Sequence, residues 1–392
     1  MQKLTWRQLA AVGSMLFGLF FGAGNLIFPV AMGQLAGRNL WAAAAGFLIT
    51  GVGLPLLGVA ALGLSRESGL LALSSRVGRG YGLAFTCALY LTIGPFFAIP
   101  RCATVSYTVG IAPLAPGGGA ALGVFSLAFF AVVLFFSLRP GQILTWVGKV
   151  LNPLFLAFLA VLVLRALAAP LGQAAAVEPA GAYRAAPFAT GLLEGYNTMD
   201  ALAGLAFGIL VVQAIRRLGV RAPGDVAVST VCAGVFSSAL MAGIYLLVTL
   251  VGAQSRGRFA AAANGGEALA QIAAAYFGRA SALILAATVT VACLKTAVGL
   301  ITSCGETFVE IFPHGPSYRV WAVGFCLLSF LIANLGLDAI LAWSQPVLMA
   351  LYPLAIVLIL LTLAGPLYGD DRAVLRGGLG CTAAAAVLEF LR

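Results

Sequence analysis

Charge is what this sequence has least of. Only 9% of its 392 residues are Asp, Glu, Lys or Arg, against about a quarter in an ordinary soluble domain. With 62% hydrophobic residues and a mean hydropathy of +1.06, the soluble globular classes are excluded. Histidine is nearly missing. The single His314 falls in an expected loop, which argues against a His-based metal or proton-relay centre. The seven cysteines form no CxxC pair and no Cys/His cluster. All lie in or at the ends of apolar segments, so they read as small buried hydrophobes rather than metal ligands or disulfides. Alternating apolar and polar residues over short stretches are lacking too, which rules out an outer-membrane barrel. No cleavable leader is evident, because the first apolar segment is too long for one and runs on into further spans. The net charge of +10 does not point to nucleic acid, since the basic residues sit in short loops, where the positive-inside rule accounts for them.

What is present is a series of long apolar runs, and these make the chain an all-α polytopic membrane protein. Eleven segments are expected, at about 9–33, 40–63, 82–110, 120–137, 146–168, 189–213, 226–252, 280–305, 319–333, 338–365 and 377–391. A Pro/Gly link at 113–119 joins segments 3 and 4, and a looser stretch reaches about 187. Residues 265–277 are expected to form a short surface helix. Placing the N-terminus in the cytoplasm puts the excess of Lys and Arg in cytoplasmic loops, and an odd number of spans then leaves the C-terminus outside.

Segment 1 is built to break. Gly18, Gly22 and Gly24 strip side chains from one region, Asn25 brings an amide into hydrocarbon, and Pro29 removes a backbone donor. Helix packing through small residues explains Gly18 and Gly22, but not Asn25 and Pro29. Backbone that leaves the helix at membrane depth is tolerated only where it is buried in protein or lines a cavity. Segment 6 is interrupted as well, with Gly195 and Gly204 bracketing Asp200. Glu194, Asn197 and Asp200 are spaced to share a helical face. A carboxylate at mid-segment costs at least ~2.5 kcal/mol on insertion scales, so Asp200 should face protein or water, either in a site or as a structural partner.

Two broken helices at matching positions of two five-segment halves point to a transporter with inverted repeats. Freed N–H groups at the start of a half-helix suit a carboxylate, and freed carbonyls at the end of one suit an ammonium group or a cation. The candidate substrate residues are Gly22, Ala23, Gly24, Asn25, Tyr90, Asn197, Asp200 and Ala203. Asn25 either touches substrate or only staples the broken backbone. In segment 8 the Thr302 and Ser303 hydroxyls, with the Gly299 carbonyl three residues before Thr302, offer a neutral oxygen cage of the kind that suits Na+. The alternative is that these hydroxyls bond back to the preceding turn. Arg101 and Lys295 lie inside segments with no assigned role; Arg101 could gate or anchor, and Lys295 could pair with Asp200 or Glu194.

Four stretches carry a resemblance. They are Phe20-Phe21-Gly22-Ala23-Gly24-Asn25-Leu26-Ile27-Phe28-Pro29, Gly46-Phe47-Leu48-Ile49-Thr50-Gly51-Val52-Gly53-Leu54-Pro55, Tyr90-Leu91-Thr92-Ile93-Gly94-Pro95-Phe96-Phe97-Ala98-Ile99-Pro100-Arg101 and Tyr196-Asn197-Thr198-Met199-Asp200-Ala201-Leu202. The sequence resembles the branched-chain amino acid:cation symporters, the bacterial LIV-II carriers of the amino acid–polyamine–organocation superfamily. The resemblance implies the five-plus-five inverted-repeat (LeuT-like) fold, with repeats at 1–168 and 189–365 and an extra C-terminal helix at 366–392. That family usually has twelve spans, one more than is counted here. It implies import of L-leucine, L-isoleucine or L-valine across a bacterial inner membrane, coupled to Na+ or alternatively H+. No organic cofactor and no obligate protein partner beyond the lipid bilayer are implied. By the same likeness the carboxylate site falls on Gly22, Ala23 and Gly24. The sodium site falls on the Gly18, Phe21 and Gly299 carbonyls with Thr302 and Ser303. The same fold carrying another small amino acid, an amine or a nucleobase is the nearest rival. A membrane-embedded enzyme lacks a catalytic constellation, and a channel lacks a repeated pore motif.

Overall fold

The computed structural model describes residues 4–65, 67, 69–112, 118–139, 152–369 and 371–390. Most of the expected 113–119 link and the start of segment 5 therefore lie outside the described residues. Among the described residues the chain is helical throughout, with no strand. Segment 1 splits into α1 (Trp6–Phe20) and α2 (Ala23–Ala36). Segment 2 is α3 (Leu40–Leu48) and α4 (Leu54–Ser65), joined by a π-helical turn at Ile49–Gly53. A short α5 (Leu70–Ser75) leads to segment 3, formed by α6 (Arg79–Leu91) and α7 (Ala98–Ser106). Segments 4 and 5 are α8 (Gly118–Ser137) and α9 (Asn152–Ala168).

Segment 6 splits into α10 (Pro187–Glu194) and α11 (Asp200–Arg217). Then follow α12 (Pro223–Ser255), α13 (Gly265–Ile311), α14 (Tyr318–Ala333), α15 (Leu337–Tyr368) and α16 (Arg372–Phe390). Among the described residues six helices are long and apolar enough to cross a bilayer, and the bent pair α10–α11 makes a seventh. The chain is an integral membrane protein.

Local sequence sets the ends. Thr5 and Gln8 form a reciprocal capping box at α1, and Pro187 and Pro223 open α10 and α12, where a missing N–H costs nothing. Asn264 caps α13 by accepting from the Glu267 amide at 3.0 Å.

Close backbone approach holds the broken helices in place. A Cβ on Gly191 would collide with the Ala43 carbonyl, and one on Gly46 with the Phe188 carbonyl. The Thr50 hydroxyl donates to Leu192 O at 2.7 Å, so the first half of segment 6 is fixed along segment 2. Likewise α2 lies tight on α12, where Gly33 faces the Thr249 carbonyl and Gly252 faces Val30. Both broken helices thus rest on continuous ones.

Three expectations need correction. Residues 265–277 are helical, but Ala268, Leu269, Ile272 and Ala273 are buried, and Gly265 meets the Ile27 carbonyl. This arm packs over α2 instead of lying on the surface, and a kink at Gly278 (φ 63°) returns the chain to segment 8. Segment 3 is broken too. Gly94 leaves helical geometry (φ −95°, ψ −122°) just before Pro95, within a π-helical turn at Thr92–Phe96. Of the cysteines, Cys102, Cys293, Cys304 and Cys326 are buried, whereas Cys232 and Cys381 are exposed, on outward faces of α12 and α16.

Candidate functional site

The break in segment 1 spans Phe21 and Gly22, both extended (φ −72°, ψ 93° and φ −118°, ψ −159°). Asn25 closes it. Its Oδ1 accepts from the Gly22 amide at 3.0 Å, and its Nδ2 donates to Asp200 Oδ2 at 2.6 Å and to Tyr245 Oη. Tyr245 Oη in turn donates to Asp200 Oδ2 at 2.8 Å. Asn25 therefore staples the backbone and also ties segment 1 to segments 6 and 7. The Gly22 amide, expected to be free for substrate, is used internally. The amides at the first turn of α2 have no helical acceptor, so Ala23 and Gly24 carry the anion-binding character of this helix end. The side chain of Ala23 lies outside the described set.

The break in segment 6 is tighter. A 3-10 turn at Gly195–Thr198 ends at Met199, which takes left-handed geometry (φ 64°). That conformation is uncommon away from glycine and marks a backbone held by its surroundings. The Thr198 hydroxyl donates to Gly195 O at 2.9 Å and accepts from the Asp200 amide at 3.3 Å. Asp200 is then the first residue of α11, where a carboxylate favours the helix dipole.

Between the two breaks lies a cavity of about 30 Å³. Of the candidate substrate residues, Gly22, Gly24, Asn25, Asp200 and Ala203 line it. An apolar wall of Leu19, Phe20, Ile93, Ala98, Phe207 and Leu300 faces these polar groups. The volume is about one or two waters' worth, too small to hold an amino acid with the walls as they stand.

Two expected substrate residues are elsewhere. The Tyr90 hydroxyl donates to Ala206 O at 3.3 Å, against the middle of α11, and does not reach the cavity. Asn197 contributes its backbone instead of its amide. Its carbonyl accepts from Arg101 Nη1 at 2.7 Å, while its side chain turns towards Glu194. Arg101 itself is the residue whose importance the sequence left open. It is 3% exposed, lines the cavity, and has its guanidinium 5.2 Å from the Phe28 ring. The signal was an arginine inside a span beside two prolines; the missing piece was the Gly94 break that aims α7.

The expected sodium cage is also displaced. Thr302 Oγ1 donates back to Val298 O at 2.9 Å and receives the Tyr318 hydroxyl at 3.5 Å, at an interface with α14. Ser303 faces the Tyr90 phenol. Neither is directed at the helix break. The hydroxyl nearest the Phe21 carbonyl is that of Thr296, at 3.5 Å; it also lies 3.3 Å from Ala292 O one turn back and borders Gly22. Thr296 precedes Thr302 by six residues, about 9 Å along the axis. Segments 1 and 8 pair through Leu19 and Gly299, where a Cβ on Gly299 would meet Leu19 Cδ2 at 3.4 Å. Gly18 is buried one turn before Phe21, on the same side of the break. Lys295, 2% exposed, adjoins Thr296, with Nζ 5.7 Å from the Phe155 ring.

The family model described as "Branched-chain amino acid transport protein" matches residues 6–392. The chain belongs to that family. It is similar to the branched-chain amino acid permease BrnQ of Lactobacillus delbrueckii subsp. lactis, 58% identical over 370 residues, which cover 94% of this chain and 83% of the relative. It is 45% identical to the branched-chain amino acid transport system 2 carrier protein of Pseudomonas aeruginosa over 363 residues, covering 93% and 82% of the two chains. These are transporters, and the family is not one of enzymes. Among solved structures, MhsT in complex with L-phenylalanine superposes with a TM-score of 0.61 at 16% identity, covering 100% of this chain and 99% of that one. Mhp1, a nucleobase-cation-symport-1 family transporter in a closed conformation with bromovinylhydantoin bound, gives 0.62 at 14% identity, covering 97% and 91%. The fold is therefore the five-plus-five inverted-repeat transporter fold, with helices 1 and 6 broken.

Proposed function

We propose that this protein is a secondary active symporter that imports L-leucine, L-isoleucine and L-valine across a bacterial inner membrane by alternating access. The observation that carries the reading is the cavity at which two broken helices meet. One side offers the α2 amide end, Asp200 and the carbonyls before Met199, which suit a zwitterion. The other side is aliphatic and aromatic, which suits a branched side chain. Residues 1–168 and 189–365 act as the two repeats and 366–392 as an added helix, with the N-terminus in the cytoplasm.

The coupling ion is carried as a second substrate. Na+ would be held by the Gly18 and Phe21 carbonyls with the Thr296 hydroxyl, which takes the place first assigned to Thr302 and Ser303. Coupling to H+ is the second reading, supported by two buried titratable side chains, Asp200, which is bonded to Asn25, and Lys295, which adjoins Thr296. Cation binding would join segments 1 and 8, and substrate would bridge segments 1 and 6; each shifts the equilibrium only by its preference for one state. The test is uptake of labelled isoleucine into proteoliposomes under an inward Na+ or H+ gradient. Saturable uptake competed by leucine and valine supports the proposal. Competition by amines or nucleobases instead would move it to the rival substrate, and no saturable uptake under either gradient would sink it.

A further inference from the structure

Arg101 sits where its presence needs a reason. The guanidinium lies against the carbonyl end of the first half of segment 6, with Nη1 2.7 Å from Asn197 O and Nη2 3.4 Å from Thr198 O. Those carbonyls end the α10 stretch and carry the negative end of its dipole. Asp200 attracts the same cation. On the opposite side, Nη2 lies 2.8 Å from where a Cβ on Gly24 would stand, so the guanidinium spans the gap between the two breaks. A settled buried anchor has its donors satisfied, yet Arg101 Nε is buried with no partner. The group is placed for its acceptors on segment 6 and is incompletely satisfied elsewhere.

The acceptors it uses are those a primary ammonium would need. An ammonium has three donors and no acceptor capacity, and here it would find the Asn197 and Thr198 carbonyls beside the Asp200 carboxylate. Two cations at contact distance in a dry cavity repel strongly, so guanidinium and ammonium exclude each other. The arginine hangs from α7 on a flexible stem, whereas the other polar walls are backbone or are locked by the Asn25, Tyr245 and Asp200 bonds.

Building on the zwitterion reading above, we propose that the Arg101 guanidinium is a tethered stand-in for the substrate's ammonium group. It occupies the Asn197 and Thr198 carbonyls while the carrier returns empty, and yields them when an amino acid enters. The empty carrier thereby crosses between its two states without leaving buried carbonyls unpaired in the 3-10 turn that follows α10.

Exchange and net uptake separate this role from others, because only net uptake requires the empty carrier to reorient. The experiment compares labelled L-leucine entry into leucine-loaded and empty proteoliposomes for wild type, Arg101→Gln and Arg101→Lys. Leaving even one buried acceptor unpaired costs on the order of a ten-fold equilibrium change, so net uptake by Arg101→Gln should fall by at least about ten-fold. Exchange should fall by less than about three-fold, and Arg101→Lys should recover part of the net rate. Parallel loss of exchange and net uptake would overturn the proposal and mark Arg101 as a direct substrate ligand or a structural anchor. An unchanged ratio of the two would overturn it as well. If Arg101→Gln does not fold, Arg101→Lys alone decides, since its compact ammonium fits two carbonyls less well than a fork and the ratio must still rise. Wild type inactive in both assays would refute the substrate reading itself, which is a different failure.

Discussion

Asn25 makes the sharpest energetic prediction. Asn25→Ala removes the acceptor of the Gly22 amide and one donor to the Asp200 carboxylate, and it also breaks the contact with Tyr245. Polar side-chain pairs between membrane helices are worth ~0.6 kcal/mol on average and at most ~1.7 kcal/mol. A hydrogen bond to a charged group is worth about 1.5–3 kcal/mol. The Asn25–Asp200 bond, at 2.6 Å and with both residues 2% exposed, belongs in the upper range. Tyr245 still donates to Asp200 when Asn25 is gone, so the single variant does not isolate the bond. A double-mutant cycle does, using wild type, Asn25→Ala, Asp200→Ala and the pair, with unfolding free energies measured in mixed micelles. The expected interaction is about 2 kcal/mol, or roughly thirty-fold in an equilibrium constant. Additivity within ~0.5 kcal/mol would refute the reasoning, because residues that share no bond add to about that precision.

Three further substitutions follow from the same geometry. Gly191→Ala drives a Cβ into the Ala43 carbonyl and should cost about 1–3 kcal/mol, seen as a lower thermal midpoint, whereas Gly324→Ala meets nothing within 4 Å and should leave the midpoint unchanged or raise it. Thr296→Ala should raise the cation concentration needed for half-maximal uptake by about ten-fold through loss of one ligand, while Thr302→Ala should not; the reverse pattern would restore the site first expected from the sequence. Ala203→Leu adds a branched side chain to a wall of the 30 Å³ cavity and should depress leucine uptake about ten-fold more than valine uptake, checked by competition, since each methylene in such a pocket is worth about 1–3 kcal/mol.

Much of this architecture could be read from the residues. Long apolar runs dictate spans, and glycine with asparagine at membrane depth requires a lined break, so Gly22, Gly24, Asn25, Asp200 and Ala203 could be picked out as residues that line the cavity between the breaks. The losses came from rotation and register. Thr296, Thr302 and Ser303 all lie on one helix, and only packing against α1 decides which hydroxyl meets the Phe21 carbonyl. For Tyr90 and Asn197, side-chain direction puts the first on Ala206 and turns the second to Glu194. Tyr245, one of two aromatics in segment 7, drew no reading from the sequence, because nothing local announces a partner 45 residues away. Arg101 was conspicuous, yet its target depends on the Gly94 break, which Pro95 hinted at without fixing its angle.

The central claim is that an amino acid binds between the two broken helices, and a structure solved with L-leucine bound tests it most directly. The expected result is a carboxylate within hydrogen-bonding distance of the Ala23 and Gly24 amides, an ammonium on the Asn197 and Thr198 carbonyls with Arg101 withdrawn, and a side chain against Ile93, Phe207 and Leu300. Leucine bound away from this cavity, or lying in it with its charged end reversed, would contradict the claim.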